Sequence, residues 1–258
     1  METPVSAHAE IALSTRGLSK RFGSLVVTQD VNLSLPKGVR YALIGPNGAG
    51  KTTLINLMTG MLKPDSGSIL LGHDDVTSLE PQQRVARGLA RTFQINTLFP
   101  SLTPLEAVTL AVCERRKEAG EFWTGLASHK EAIDEAHDIL VHLKLGNVCY
   151  QPTRELPYGR QRLLEIALAL ATRPRVLLLD EPAAGVPQEE SGDIFEAVAN
   201  LSNDLTLLFI EHDMHVVFRF ASHIIVLVGG AVFTQGSPQQ IAADPRVREV
   251  YLGTRKHG

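Results

Sequence analysis

The chain has 258 residues, 44% of them hydrophobic, which is enough for one large or two small domains around a sizeable core. Its net charge of −3 lacks the basic surplus typical of nucleic-acid binding, so we expect no nucleic acid among its partners. Neither the two cysteines nor the nine scattered histidines show a disulfide framework or metal-ligand spacing, and no run of about 18 apolar residues predicts a membrane span.

The first residues, "METPVSAHAE", lack the charged, apolar and small-residue regions of a signal peptide, and we expect a disordered tail over residues 1–10. Two strands are predicted next, in "IALSTRGLSKRF" and "LVVTQDVNLSL". A turn at Pro36–Gly38 separates them from the apolar run Val39–Ile44, which predicts a buried strand.

The stretch "GPNGAGKTT" follows that strand and fits the phosphate-binding pattern G-x-x-x-x-G-K-[ST]. Its glycines allow backbone N–H groups to form a concave nest for anionic oxygens, and the N-terminus of the following helix points its positive end there. Lys51 is placed to reach the β- and γ-phosphates, and the Thr52 hydroxyl to bind Mg²⁺. The predicted nucleotide-binding residues are Gly45, Pro46, Asn47, Gly48, Ala49, Gly50, Lys51, Thr52 and Thr53.

Shorter elements come after the predicted helix "TTLINLMTG". "KPDSGSILLGHDD" predicts a turn and a strand, "EPQQRVARGL" a short helix, and "ARTFQ" a brief strand that ends at Gln94. From Pro104 to about Leu145 the periodicity is helical, and a further helix is predicted in "RQRLLEIALALAT". Strands return in "RVLLLD", "TLLFIE", "HIIVLV" and "AVFTQG", so a helix-rich block interrupts a core of strands and helices.

The stretch "RVLLLDEP" places two acids at the end of a buried strand. In proteins with a phosphate-binding loop, an acid in this position holds Mg²⁺, which indicates this role for Asp180. The adjacent Glu181 is suited to polarise a water for attack on the γ-phosphate.

Three further stretches complete the pattern: Gln94 after its short strand, "LPYGRQRLLEIALAL" before "RVLLLDEP", and "LLFIEHDM" about thirty residues after it. Together with the phosphate-binding loop they resemble the ATP-binding subunits of ABC transporters, over residues 11–252. The resemblance implies an α/β fold: a P-loop NTPase (RecA-like) core with an antiparallel β subdomain and an inserted α-helical subdomain. It divides the chain into a core part at 11–94, a helical subdomain with the signature motif at 95–165, and the rest of the core at 166–258.

The resemblance also implies roles for individual residues, with ATP and Mg²⁺ as cofactors. Phe22 matches the aromatic residue that stacks on adenine, and Gln94 the glutamine that binds Mg²⁺ and water, with Thr52 and Asp180 as the other metal-binding residues. Glu181 is the implied general base, and His212 matches the histidine that contacts the γ-phosphate. The signature motif, which closes over ATP held by a partner subunit, corresponds to Leu156, Pro157, Tyr158, Gly159 and Arg160.

Four short stretches resemble the ATPases of branched-chain amino acid importers, which belong to the hydrophobic amino acid uptake class. These stretches are "PYG", "DEPAAG", "IEHDM" and "DPRVREVYLG". This implies membrane permease subunits, a second related ATPase or a second copy of this chain, and indirectly a periplasmic solute-binding protein as partners. It also implies a peripheral position on the cytoplasmic face of the inner membrane. Phe122 and Trp123 either help to dock a permease or pack within the helical subdomain.

Other functions stay open at this point. Urea or amide importers belong to the same class, and lipopolysaccharide-export ATPases have a related sequence style. A soluble ABC ATPase that acts on DNA, ribosomes or Fe–S assembly usually has fused cassettes, coiled coils or basic extensions, none of which is visible in this sequence. A kinase-like enzyme would have no use for a signature motif.

The chain departs from the family pattern at three positions. Pro157 stands in place of the signature serine, Arg160 in place of its glutamine, and Pro187 in place of an aspartate. Since proline lacks a hydroxyl and a backbone N–H, one contact to the partner's ATP is lost. We therefore expect an asymmetric heterodimer in which Lys51 and Glu181 of this chain form the more active site.

Overall fold

The computed structural model describes residues 10–92, 98–118 and 129–252, with only the backbone described at 188–190, 251 and 252. Most of the predicted tail therefore lies outside the described residues, as do Gln94, Phe122 and Trp123. Glu10 is described, and its carbonyl accepts a hydrogen bond of 2.8 Å from the Lys37 N–H.

The larger of two sheets has six strands in the order β10-β9-β3-β8-β7-β6. The five strands from β9 to β6 are parallel, and β10 is an antiparallel edge. Their bounds are β3 Arg40–Ile44, β6 Leu89–Arg91, β7 Val176–Asp180, β8 Thr206–Ile210, β9 His223–Val228 and β10 Ala231–Gly236. Strands β3, β7, β8 and β9 coincide with apolar runs in the sequence, because a parallel sheet covered on both faces needs apolar side chains on both. The brief strand predicted in "ARTFQ" lies earlier, at Leu89–Arg91, and Thr92 is already outside it.

Alternate residues of the central strands face two separate hydrophobic cores. In β3, Ala42 and Ile44 join one core, while Tyr41 and Leu43 join the other. All five residues of β7 and of β8 are buried. The sheet therefore separates two hydrophobic layers.

The smaller sheet is antiparallel, with strand order β2-β1-β4-β5. Its strands are β1 Ile11–Phe22, β2 Leu25–Pro36, β4 Ser66–Leu71 and β5 Asp74–Asp75. Its apolar face closes the second core, where Leu13, Leu35 and Ile69 pack with residues of β3. This sheet confirms the strands expected near the N-terminus.

Nine α-helices lie within the described residues: α1 Lys51–Thr59, α2 Pro81–Ala86, α3 Pro104–Arg116, α4 Lys130–His142, α5 Tyr158–Ala171, α6 Gln188–Ala199, α7 Met214–Phe220, α8 Pro238–Ala243 and α9 Pro245–Leu252. Short 3₁₀ turns at Gly146–Val148 and Thr153–Glu155 lead into α5. Helices α3, α4 and α5 pack together as the expected helix-rich block, with Val112, Ala136 and Leu140 in its interior. The division expected after residue 165 falls inside α5, which is continuous from the block into the core.

Local signals explain where several helices begin. Thr103 and Glu106 form a capping box at α3, which has Pro104 in its first turn, and Ser237 and Gln240 do the same at α8. None of the helices in the described parts of the chain is sufficiently long and apolar to cross a membrane.

Candidate nucleotide-binding site

The phosphate-binding loop connects the end of β3 to the start of α1, as the sequence predicts. Gly50 caps the helix with φ of 98°, and a Cβ at this position would lie 2.5 Å from the carbonyl oxygen of Val27. Any other residue would be strained here and would also clash with β2. The sequence requirement for glycine therefore has both a conformational and a steric cause.

Lys51, the first residue of α1, is only 7% exposed. Its Nζ donates to the carbonyl oxygens of Gly45 at 2.8 Å and Pro46 at 3.2 Å, so the ammonium group is held over the loop. Burial lowers the pKa of Lys51, and the negative charges of Glu181 and Asp180 act in the opposite direction. Lys51 is thus within the electrostatic reach of the two acids that the sequence predicts for the same site.

Asp180 ends β7 with its side chain fully buried. Its Oδ2 accepts a hydrogen bond of 2.6 Å from Arg91, while its Oδ1 has no hydrogen-bond partner among the described residues. Burial raises the pKa of Asp180, and the guanidinium of Arg91 opposes that shift. A buried carboxylate oxygen without a partner, together with the exposed Thr52 at the start of α1, is a donor set that suits Mg²⁺ or its bound water.

Glu181 directly follows β7 with a φ of 49°, in the left-handed region that glutamate rarely occupies. Its N–H donates to the Ile210 carbonyl at the end of β8, and its own carbonyl accepts from Ala184. Hydrogen bonds on both sides therefore hold an unfavourable backbone conformation in place. Such conformations concentrate at functional sites, because the surrounding structure must impose them.

His212 follows β8 and meets Glu181 across the ends of two neighbouring strands. Its Nε2 lies 2.9 Å from Glu181 Oε1, and both side chains border an open space of about 290 Å³. The structure thus brings together the predicted general base and the predicted γ-phosphate contact, 31 residues apart in the chain.

Glu211 is a residue of this region that the sequence interpretation missed. It is 8% exposed, and its carboxylate accepts from the N–H groups of His212 at 3.1 Å and Ala183 at 3.4 Å. Burial raises the pKa of Glu211, and these backbone hydrogen bonds oppose the shift. The Glu211 carboxylate therefore links Ala183, in the loop after Glu181, to His212, which contacts Glu181. The sequence signal for Glu211 was its position directly before His212 in "IEHDM".

The signature residues lie at the start of α5. Leu156 is buried, Pro157 immediately precedes the helix, and the Tyr158 hydroxyl accepts a hydrogen bond of 2.6 Å from Arg162. The Arg160 side chain donates to the Lys144 carbonyl of its own chain.

Gly159 is buried in the first turn of α5. A Cβ added at Gly185 would lie 3.1 Å from the Tyr158 ring, so this ring packs on the loop that follows Glu181. The contact of these signature residues with a partner's ATP stays a prediction.

Phe22, the predicted adenine contact, ends β1 and is 49% exposed. The ammonium group of Lys20 lies 5.8 Å from the centre of its ring. The following strand, β2, reaches the phosphate-binding loop at Val27, so the hairpin that carries Phe22 adjoins the site. An exposed aromatic ring in this place is available for stacking, and its contact with adenine stays a prediction.

A second group of possible metal ligands lies in the helix-rich block, where the sequence spacing predicted none. The ligand atoms of Cys113, Glu118 and His129 are all within 4.8 Å of one another. Glu118 is already bound by the guanidinium of Arg116 at 2.6 Å, which places a positive charge beside the group. That charge opposes a cation, and we assign no metal there.

Comparisons with known proteins show what the chain is similar to. Residues 28–184 match the family model described as ABC transporter, and residues 232–257 match one described as branched-chain amino acid ATP-binding cassette transporter. The high-affinity branched-chain amino acid transport ATP-binding protein BraF of Pseudomonas aeruginosa is 38% identical over 250 residues, which cover 93% of this chain and 97% of BraF. The corresponding protein LivG of Escherichia coli is 39% identical over the same length and coverage.

Solved structures give the same result. An ATP-binding cassette of an ABC transporter in its ADP conformation superposes with a TM-score of 0.82 at 33% identity, over 94% of this chain and 99% of that one. A dimeric cassette in a post-hydrolysis state, bound to ADP and Pi, superposes with a TM-score of 0.72 at 25% identity, over 88% of this chain and 98% of that one. The expected P-loop NTPase fold is confirmed.

Proposed function

Because the chain belongs to the ABC transporter family as an ATP-binding cassette, we propose that it powers an importer for branched-chain or other hydrophobic amino acids. The relatives named for branched-chain amino acid transport are similar along almost their whole length, including the C-terminal segment. That segment, at 232–257, lies beyond the residues matched by the general family model and carries the more specific similarity.

The arrangement of Lys51, Asp180, Glu181 and His212 at one end of the parallel strands carries the ATPase part of the proposal. A triphosphate on the loop would replace the carbonyl contacts of Lys51 with charge-assisted ones. Thr52 and Asp180 would hold Mg²⁺, and the bound ion would neutralise charge on the phosphate oxygens. Glu181 orients the attacking water, and the contact with His212 fixes the position of its carboxylate.

The proposed partners are a second cassette, either a related ATPase or another copy, and two membrane permeases. A periplasmic binding protein would supply the solute, so this chain would not contact the amino acid itself. A solved cassette of the same fold, 25% identical to this chain, is dimeric, which supports pairing of two such subunits. We place the protein at the cytoplasmic face of the inner membrane, held there by the permeases.

The ATP site is tested by calorimetry with ATP and Mg²⁺ on the purified chain. Lys51→Ala should raise the Kd at least about tenfold, since a hydrogen bond to a charged group contributes roughly 1.5–3 kcal/mol. The matched control is Lys63→Ala, which removes an exposed lysine whose ion pair among the described residues is with Glu80, at 3.3 Å. Equal affinity of the Lys51→Ala variant and the parent would refute the assignment of the loop.

The transported solute is tested separately, by uptake of labelled leucine, valine and urea in cells that lack the gene. Leucine and valine uptake should fall and should be restored by the parent gene but not by Lys51→Ala. If only urea uptake is lost, the protein is instead assigned to a urea importer. Normal uptake of all three solutes, with ATP binding intact, would reject the solute class and leave the ATPase assignment standing.

A further inference from the structure

Arg91 ends β6 and is anchored by two side chains from other elements. Its Nη2 donates to Asp180 Oδ2 at 2.6 Å, and its Nη1 donates to Asn56 Oδ1 at 2.5 Å. The side chain of Arg91 is only 11% exposed, and that of Asp180 is fully buried. A buried ion pair with a second hydrogen bond has a defined geometry, because both ends of the guanidinium fork are occupied.

The two partners of Arg91 belong to the two elements that carry predicted Mg²⁺ ligands. Asn56 lies on α1, which begins with Lys51 and Thr52, and Asp180 is the last residue of β7. Arg91 therefore connects the helix that bears Thr52 to the strand that bears Asp180. Its two hydrogen bonds thus span the elements whose spacing sets the distance between these predicted ligands.

The hydrogen bond from Arg91 also fixes how the carboxylate is turned. Oδ2 is taken by the guanidinium, and Oδ1 is left buried and without a partner among the described residues. A carboxylate held at one oxygen cannot rotate freely, so the other oxygen stays directed to one place. Groups that bind a metal ligand from behind usually act in this way.

We propose that Arg91 is a positioning residue for the divalent cation, which presents Asp180 Oδ1 to it and sets the spacing between Asp180 and Thr52. This inference rests on the proposed ATP site. In the opposite role, the guanidinium of Arg91 would occupy the Mg²⁺ position until ATP and Mg²⁺ bind. Arg91 would then have to cover the coordinating oxygen of Asp180 and move away when they bind. The second anchor at Asn56 argues against that role, and so does Oδ1, which Arg91 leaves without a hydrogen bond.

The experiment measures nucleotide binding with a fluorescent ATP analogue, first in excess chelator and then during a titration with Mg²⁺. For Arg91→Met, the Mg²⁺ concentration at half-maximal effect should rise about 10- to 100-fold, which is the usual loss when such a supporting group is removed. Affinity without metal should stay within about twofold of the parent. Arg91→Lys should recover part of the loss, because a lysine can reach Asp180 but cannot also bind Asn56.

The control is Arg115→Met, which breaks an ion pair of similar length with Glu135 in the helix-rich block. It should lower the melting temperature and leave the Mg²⁺ midpoint unchanged. If Arg91→Met does not fold, Asn56→Ala removes one anchor only and should shift the midpoint in the same direction by less.

A midpoint for Arg91→Met that equals the parent's, or lies below it, overturns the proposal. So does an equal loss of affinity in the absence of metal, since the loop itself would then be disturbed. Failure of the parent chain to bind the analogue would instead contradict the proposed function. The two failures are therefore distinguishable.

Discussion

The imidazole Nε2 of His212 lies 2.9 Å from the carboxylate Oε1 of Glu181, a contact between the ends of β8 and β7. Both side chains are partly exposed, so this pair adds little to stability. Its value is geometric, because it holds the Glu181 carboxylate at the border of the open space that both side chains line.

Glu181→Gln and His212→Ala should each slow phosphate release by roughly 10²- to 10⁴-fold, while ATP binding is retained. Since the two residues act as one unit, the double variant should lose little more than either single variant. The control is His215→Ala, which changes an exposed histidine of α7. If the loss of activity in the double variant instead equals the product of the two single losses, the residues act independently.

Glu181→Asn should make the protein more stable and inactive. Asparagine tolerates the left-handed region better than glutamate, so the change should recover a part of the roughly 1–2 kcal/mol that this conformation costs. Thermal unfolding should then shift upward by about 2 °C or more for a chain of this size. Glu181→Gln keeps the same backbone strain and serves as control. A lower melting temperature for Glu181→Asn than for Glu181→Gln would contradict the strain argument.

Gly50→Ala should abolish ATP binding and lower stability, because the new Cβ would lie 2.5 Å from the Val27 carbonyl oxygen. Gly48→Ala is the matched comparison, since Gly48 also has a positive φ, of 78°, but no atom lies within 4 Å of an added Cβ. Thermal unfolding without nucleotide should therefore show the larger loss for Gly50→Ala. Equal losses would mean that β2 moves aside and that only the backbone conformation matters.

Protonation of His223 should lower the stability of the folded protein in mild acid. Burial lowers the pKa of His223 below its ordinary value of 6.5, so the unfolded chain binds the proton more readily than the folded one. The loss of stability should begin as the pH falls through about 6.5 and should level off below the lowered pKa.

His223→Phe keeps a ring beside Tyr41, whose centre lies 5.0 Å from that of the imidazole, and removes the titration. Melting temperatures of the two proteins, compared at pH 7.5 and 5.0, should therefore diverge in acid. The pKa shifts of buried carboxyl groups cancel in this comparison, because the parent and the His223→Phe variant share those groups. Parallel curves for the two proteins would reject the role of His223.

The departures in the signature predict unequal ATP sites in a heterodimer. Pro157 lacks the hydroxyl and N–H of a serine, and Arg160 is bound to the Lys144 carbonyl of its own chain. The missing contact would weaken ATP at the partner's loop by about 0.5–1.5 kcal/mol. In the reconstituted transporter, Glu181→Gln in this chain should then reduce turnover more than the equivalent change in the partner. The reverse order would contradict the assignment, and equal losses would indicate two coupled, equivalent sites.

Several features could be predicted from the sequence because they depend on neighbouring residues. The loop at 45–53 is recognisable since backbone N–H groups, a helix start and Lys51 act together within nine residues. The parallel strands are visible because both of their faces are buried and must be apolar. The short helix α8 had a signal as well, Ser237 followed by Pro238 and Gln240, but the interpretation did not use it.

The tertiary structure decided which distant residues meet. Arg91 and Asp180 are 89 positions apart, and only the pairing of β6 with β7 brings them together. In the same way, the ends of β7 and β8 bring Glu181 to His212. Sequence spacing carries no information on such contacts, because strand order in a parallel sheet is fixed by crossover connections and packing. The sequence therefore determined which groups can do the chemistry, and the sheet order determined which of them act on each other.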